Sequence, residues 1–160
     1  MVFNTSVAYV LNLHDAEEIT QDVFVDIHFG LEKFKGESSL KTWIYRLTIN
    51  RCIDFIKHKN RKKRFAYISS LFNKDTGHLV VDPPDFDHPG VLAERKETTA
   101  IIFKCIDQLP ESQKTAFILS KLEGLTNIEI SKVMNLSVGA IESLQSRAKE
   151  NLKKKLIKPE

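Results

Sequence analysis

Two clusters of side chains have the types and spacing to do chemistry, and in both the chemistry would be non-covalent binding of a polyanion. The first is Trp43, Arg46, Asn50 and Arg51, followed by the basic run Lys57, Lys59, Arg61, Lys62, Lys63 and Arg64. Aromatics beside cations suit unpaired bases, since every base has a face to stack on, worth about 1–3 kcal/mol each. Taken alone, the basic run reads equally well as a solvated helix end. The second cluster is Val138, Glu142, Ser143, Gln145, Ser146, Arg147 and Lys149, the outward positions of a helix opened by Ser137. The major groove admits one helix, whose N-terminal half reaches base edges; Arg147 and Lys149 are better placed for phosphates, which supply affinity and register. Gly139 and Ala140 are small enough to allow close approach to a neighbouring helix or to DNA. A third face, Glu18, Gln21, Asp22, Val25 and Phe29, is acidic with two apolar side chains among its polar groups. It reads either as solvated helix or as a docking surface for a basic, partly apolar protein.

Covalent chemistry has no support. His14, His28, His58, His78 and His88 are scattered without ligand spacing, no Ser–His–Asp grouping can be argued, and no glycine-rich phosphate loop occurs. No catalytic residue, metal or cofactor is expected. Cys52 and Cys105 lie inside apolar helical patterns and read as buried free thiols, which fits a reducing cytosol. No basic leader precedes an apolar run, and no apolar stretch approaches the ~20 residues that cross a bilayer. The expectation is a soluble, cytoplasmic protein without membrane insertion.

The elements that must position these clusters are all helical. The 160 residues carry a net charge of only +3, but the charge is segregated: Asp15, Glu17, Glu18, Asp22 and Asp26 make the early part acidic, while Lys57 to Arg64 and Lys149 to Lys158 are basic. Such a chain can hold a protein partner and a polyanion together. Val2, Val7, Val10 and Leu11 predict a short first helix. Asp15 followed by Glu18 reads as the N-cap of a second helix, with Ala16, Ile19, Val23, Ile27 and Leu31 on its buried face and a stop at Gly36. Ser38 or Ser39 would cap a third helix, from about Leu40 to Lys63. Its stripe is Tyr45, Ile49, Cys52, Ile53 and Ile56, with Leu40, Trp43, Ile44 and Leu47 facing away.

Breakers at 73–77, 82–85 and 89–90 mark a flexible linker, which also carries Asp75, Asp82, Asp85 and Asp87. Beyond it, Ala93, Ala100, Ile101, Cys105 and Leu109 predict one helix. Pro110 begins another, with Thr115, Phe117, Ile118 and Leu122 on its face and a stop at Gly124. Thr126-Asn127-Ile128-Glu129 is a capping box opening a short helix to about Met134. Asn135-Leu136-Ser137 turns the chain into a helix from Val138 to about Ile157. Two helices joined by so short a turn read as helix-turn-helix, closed by Ile130, Val133, Leu136, Ile141 and Leu144. The expected fold is all-α: two small helical domains, 1–64 and 91–160, joined by the linker 65–90.

Longer stretches carry a family resemblance. Asp15-Ala16-Glu17-Glu18-Ile19-Thr20-Gln21-Asp22-Val23-Phe24 and Phe34-Lys35-Gly36-Glu37-Ser38-Ser39-Leu40-Lys41-Thr42-Trp43-Ile44-Tyr45-Arg46 resemble the second region of extracytoplasmic-function sigma factors. Leu109-Pro110-Glu111, Glu123-Gly124-Leu125-Thr126 and Leu136-Ser137-Val138-Gly139-Ala140-Ile141 resemble that family's fourth region. Both motif sets stand in the family's order and leave mainly the linker unassigned.

The resemblance implies a sigma factor that directs core RNA polymerase to promoters. Asp15, Glu18, Gln21, Asp22, Val25 and Phe29 would bind the clamp helices of the largest catalytic subunit. Gly36, Ser38, Ser39, Thr42, Trp43 and Arg46 would read the −10 element and capture a flipped base, with Asn50, Arg51, Lys57, Arg61 and Lys62 holding the strand. Ser137, Val138, Gly139, Ala140, Glu142, Ser143, Ser146, Arg147 and Lys149 would meet the −35 element. The linker would thread toward the RNA exit path, its carboxylates mimicking nucleic acid. The flap region of polymerase and an anti-sigma factor are further implied partners.

Three departures from the family pattern stand out. The chain begins later than the family's usual first helix, through either a late start codon or a trimmed helix. Ile141-Glu142-Ser143-Leu144 replaces the more usual Val-Lys-Ser-Arg, which removes two cations and argues against transferring a relative's promoter sequence. Ser131 stands where Ala is usual. A helix-turn-helix regulator that works without polymerase would explain Thr126 to Lys149 but leave the acidic face and the Trp43 cluster idle. A sigma-like decoy would occupy polymerase without opening promoters.

Overall fold

The computed structural model describes residues 1–72 and 93–157, and among these the regular structure is seven α-helices and one 3-10 turn, with no strand. The acidic linker positions Asp75, Asp82, Asp85 and Asp87 lie outside the described residues. Helices α1 (Val2–Val10), α2 (Leu13–Gly30) and α3 (Leu40–Phe72) pack on one another; α4 (Ala93–Asp107), α5 (Glu111–Lys121), α6 (Asn127–Met134) and α7 (Val138–Ile157) form the second group.

In α1 the buried face differs from the valine pattern. Thr5, Ser6 and Tyr9 are buried, while Val7 and Val10 are only half-buried. Hydroxyls tolerate this position because Thr5 Oγ1 and Ser6 Oγ donate to the carbonyls of Met1 and Val2, each at 3.0 Å. Leu11 then adopts a left-handed conformation, φ 55°, and the chain turns directly into α2.

The cap of α2 is Asn12, not Asp15: Asn12 Oδ1 accepts the Asp15 N–H at 2.8 Å. An Asn one turn earlier has the same capping chemistry, so the helix gains its first turn from Leu13. Ala16, Ile19 and Val23 are buried as expected, but Leu31 is half exposed because α2 ends at Gly30 and the 3-10 turn Leu31–Lys33 rotates it away. Gly36 is therefore not the helix stop. It takes φ +74° within the loop that follows, a conformation open to glycine at no steric cost. Ser39 caps α3, its Oγ accepting the Thr42 N–H at 3.1 Å and sharing a hydrogen bond with Thr42 Oγ1 at 2.8 Å.

Helix α3 runs to Phe72, well past the expected end near Lys63. No glycine or proline interrupts the chain between Arg64 and Phe72, so nothing stops the helix there. Its buried stripe is Tyr45, Ile49 and Cys52, with Ile53 and Ile56 partly covered.

The second group departs from expectation mainly in register. In α4 and its end, Ile106 and Leu109 are buried while Ile101 is half exposed. Pro110 sits at the N-cap of α5 and not at its first helical position, which is Glu111, and Ile118 and Leu119 fill the core where Leu122 does not. Gly124, at φ +68°, lets the Leu125 N–H reach back to the Leu119 carbonyl at 3.0 Å, closing the helix. Ile130, Val133, Ile141, Ala148 and Leu152 complete this side of the core, with Leu136 left partly exposed in the turn.

Candidate nucleic-acid interface

The helix-turn-helix is assembled by three local devices. Glu129 and Thr126 form a full capping box at the start of α6: the Thr126 N–H donates to Glu129 Oε2 at 2.8 Å, and the Glu129 N–H donates to Thr126 Oγ1 at 3.3 Å. These bonds, the backbone one foremost, hold the Glu129 carboxyl below its ordinary pKa. Asn135 then takes a left-handed conformation, φ 54°, ending α6. Ser137 Oγ accepts the Ala140 N–H at 3.2 Å and opens α7.

This geometry leaves the first two turns of α7 free. Ser137, Val138, Gly139, Glu142, Ser143, Ser146, Arg147 and Lys149 are exposed, and Ala140 is half-buried. A Cβ on Gly139 would meet no heavy atom within 4 Å, so the small residue does not serve packing against α6 and leaves room for an incoming surface. Gln145 is not free, because its Nε2 donates to Asn127 Oδ1 at 3.0 Å and ties α7 to α6.

The first unit brings some of its expected residues together and diverts others. Gly36, Ser39 and Asn50 are exposed, and Ser38 is half-buried beside them. Lys57, Arg61, Lys63 and Arg64 line an open groove on α3 together with Asp54 and Asn60, and Lys62 is exposed nearby. Thr42 is buried under its bond to Ser39. Trp43 is half-buried: its ring lies 5.3 Å from that of Phe34, and a Cβ on Gly30 would come within 2.8 Å of it. Arg51 grips Asp26 with Nε and Nη2, which ties α3 to α2 and holds the Asp26 carboxyl below the usual carboxylate range. Arg46 donates from Nε to the Lys132 carbonyl of α6 at 3.0 Å, and again from Nη2.

On α2, Glu18, Gln21, Asp22, Val25 and Phe29 share the exposed surface. Sequence reasoning missed Phe24 and Leu31, which are 59% and 50% exposed and extend the apolar part of that face. An apolar residue beside Val25, off the buried stripe, was the signal for Phe24. Asp15 stands apart from the face, paired with Lys59 of α3.

One chain therefore carries a helix-turn-helix with an open second helix, an exposed loop before α3 and a basic groove farther along that helix, and an acidic face studded with apolar side chains. The fold and these surfaces define a two-part DNA-binding transcription factor. Residues 1–62 match the family model for Sigma-70 region 2, and residues 99–152 match that for Sigma-70 region 4. The ECF RNA polymerase sigma-E factor of Haemophilus influenzae is 32% identical over 146 residues, covering 89% of this chain and 75% of that protein. The RNA polymerase sigma-H factor of Pseudomonas aeruginosa is 30% identical over 154 residues, 94% of this chain and 77% of that one. Among solved structures, the sigma factor RpoE bound to the anti-sigma factor NepR from Bartonella quintana superposes with a TM-score of 0.64 at 19% identity, over 99% of this chain and 91% of that one. CnrH in complex with the cytosolic domain of CnrY gives a TM-score of 0.68 at 18% identity, over 99% and 82%. The chain belongs to the extracytoplasmic-function RNA polymerase sigma factors, and it directs promoter-specific transcription by RNA polymerase.

Proposed function

We propose that the three surfaces divide the work of initiation as follows. The α2 face of Glu18, Gln21, Asp22, Phe24, Val25 and Phe29 docks on the clamp helices of core polymerase. The loop 36–39 and the start of α3 take the −10 element as separated strand, with Asn50 and the cations of the α3 groove on its phosphates. Helix α7 enters the major groove at the −35 element. The observation that carries this reading is the free N-terminal half of α7, held by a capped turn, in the same chain as an acidic surface with 69% of Phe29 left in solvent. So exposed an aromatic among carboxylates favours a protein partner, because water solvates it poorly and a basic apolar surface would cover it.

Acting this way, the protein catalyses nothing itself and spends binding energy to open DNA in the cleft of another enzyme. It works in the cytoplasm, where polymerase is; among the described residues no helix is long and apolar enough to cross a membrane. The flap region of polymerase would meet the second unit. An anti-sigma factor is a fitting partner, since both structural relatives named above were solved with proteins of that kind or with a cytosolic domain bound.

The test is run-off transcription from a promoter library with purified core polymerase, together with pull-down of the core enzyme. Wild-type protein should bind core and yield discrete start sites. Replacing Asn50 with Ala should leave −35 duplex binding intact and weaken permanganate-reactive strand opening. Absence of core binding would overturn the reading, however well α7 binds duplex.

A further inference from the structure

Along the open side of α7, the one long side chain placed to meet base edges is an acid. Gly139, Glu142, Ser143 and Ser146 follow one another at three- and four-residue spacing and are all exposed, so they form a single ridge on the N-terminal half of the helix. A Cβ on Gly139 would meet nothing within 4 Å, and two of the remaining three residues are serines, so the ridge is low and lets the helix seat deeply in a groove. Only Glu142 extends far beyond it. At about 100° per residue, Arg147 and Lys149 fall roughly a quarter turn to either side of this ridge. Cations placed in this way meet the phosphates of the two strands that wall a major groove, and so set the ridge on the base edges between them.

The Glu142 carboxylate has no partner of its own. Among the described residues it makes no hydrogen bond or ion pair, whereas the Glu129 carboxylate at the start of α6 is spent on the cap. The Gln145 amide, a group suited to adenine, is tied to Asn127 of α6. A free carboxylate carried into the major groove is repelled by guanine N7 and O6, adenine N7 and thymine O4, and by the phosphates. Only an exocyclic amine offsets that repulsion, and two bases present one there. Adenine N6 stands between its own N7 and the O4 of the paired thymine, with an acceptor on each side. Cytosine N4 has an acceptor on one side only, the O6 of its guanine, and a C–H on the other. The carboxylate is therefore matched to cytosine.

We propose that Glu142 is a specificity-determining residue that reads one cytosine of the −35 element, accepting an N4 amino hydrogen in the major groove, and that it acts chiefly by rejecting the other bases. The assignment rests on the promoter reading above and adds to it the identity of a base. Its test is selection of promoters from a library randomised across the −35 element, by holoenzyme assembled from core polymerase and the full chain.

Wild type should require cytosine, on one strand at one position, by a factor on the order of ten over any other base. Glu142→Gln keeps the length of the side chain and adds an amide donor, which pairs with adenine N6 and N7 together. It should move that single position from cytosine to adenine and leave the others as they were. Glu142→Ala should lose the preference there by gaining affinity for the other three bases. Because Glu142 is exposed and bonded to nothing among the described residues, neither change should disturb the fold. A wild-type selection with no fixed cytosine would overturn the assignment, and so would a glutamine variant that keeps cytosine; in both cases the promoter reading stands. If wild-type holoenzyme starts no transcription from any member of the library, the promoter reading falls and takes the assignment with it.

Discussion

Gly30 and Trp43 fit against each other so closely that a methyl group at Gly30 would sit 2.8 Å from the indole Cζ2. Phe34 stacks at a tilt against the same indole. The last residue of α2 therefore sets where the side chain at the start of α3 lies, beside the loop proposed to take the −10 strand.

Gly30→Ala should be destabilising. Alanine would gain about 0.5–1 kcal/mol from helix propensity, but displacing a rigid indole wedged against Phe34 costs about 1–3 kcal/mol, and the clash should win. Trp43 is the sole tryptophan, so its fluorescence in a urea titration reports both the shifted ring and the lowered midpoint. An unchanged midpoint and emission maximum would mean the ring moves freely.

Glu142 and Ser146 lie one turn apart on the open face of α7, exposed and outside the capping bonds. Replacing Glu142 with Lys should change which −35 sequences are selected and raise overall affinity for duplex, since a carboxylate that repels phosphate gives way to a cation. Ser146→Ala should shift preference with little change in affinity. Binding-site selection on both variants checks this, and identical selected sites would show that base edges are read elsewhere on the helix.

The Arg51–Asp26 pair gives a pH dependence with a definite sign. The Asp26 carboxyl is held below its ordinary value by the hydrogen bonds from Arg51. Its contribution to stability is then complete above the unfolded carboxyl pKa of about 4 and is lost as pH falls through the lower folded value. Both side chains are partly in solvent, so the loss should stay below about 1 kcal/mol. Arg51→Lys should remove the two-pronged contact and flatten this acid limb in urea titrations between about pH 6 and about pH 2, which bracket the carboxyl range.

Cys52 and Cys105 should separate cleanly by reactivity. Cys52 is fully buried, and burial pushes its thiol up to about 12; Cys105 is only partly covered. A maleimide at neutral pH should label Cys105 in the native protein and reach Cys52 only on unfolding, as peptide mapping by mass spectrometry would reveal. Equal labelling of both would contradict the packing of Cys52 beneath Ser6.

Several parts of this molecule are legible in the sequence because their causes are local. The Thr126–Glu129 box, the Asn135 turn and the Ser137 cap each act over three or four residues, so residue types alone announce the helix-turn-helix. The acidic face of α2 follows from helical periodicity in the same way. Boundaries were harder where two residues of similar chemistry compete: Asn12 caps α2 ahead of Asp15, and Gly30 rather than Gly36 marks its end. The extension of α3 to Phe72 was missed because the linker is read as beginning at Phe65, although its first turn signal comes only at Asn73. Leu31, Ile101, Leu122 and Leu136 show the limit of apolar pattern, since hydrophobic type does not say which face a neighbour will cover.

Sequence alone determined that the chain is helical, that its second group holds a helix-turn-helix, and that its charges are sorted into separate surfaces. Only the tertiary structure decided which charges are free and which are spent on the fold. Arg46, Arg51 and Asp15 read in the sequence as binding residues and Lys114 carries no signal there, yet each is taken by a partner 25 to 105 positions away. Pairing over such distances is set by how whole helices pack, and no periodicity within one helix encodes it.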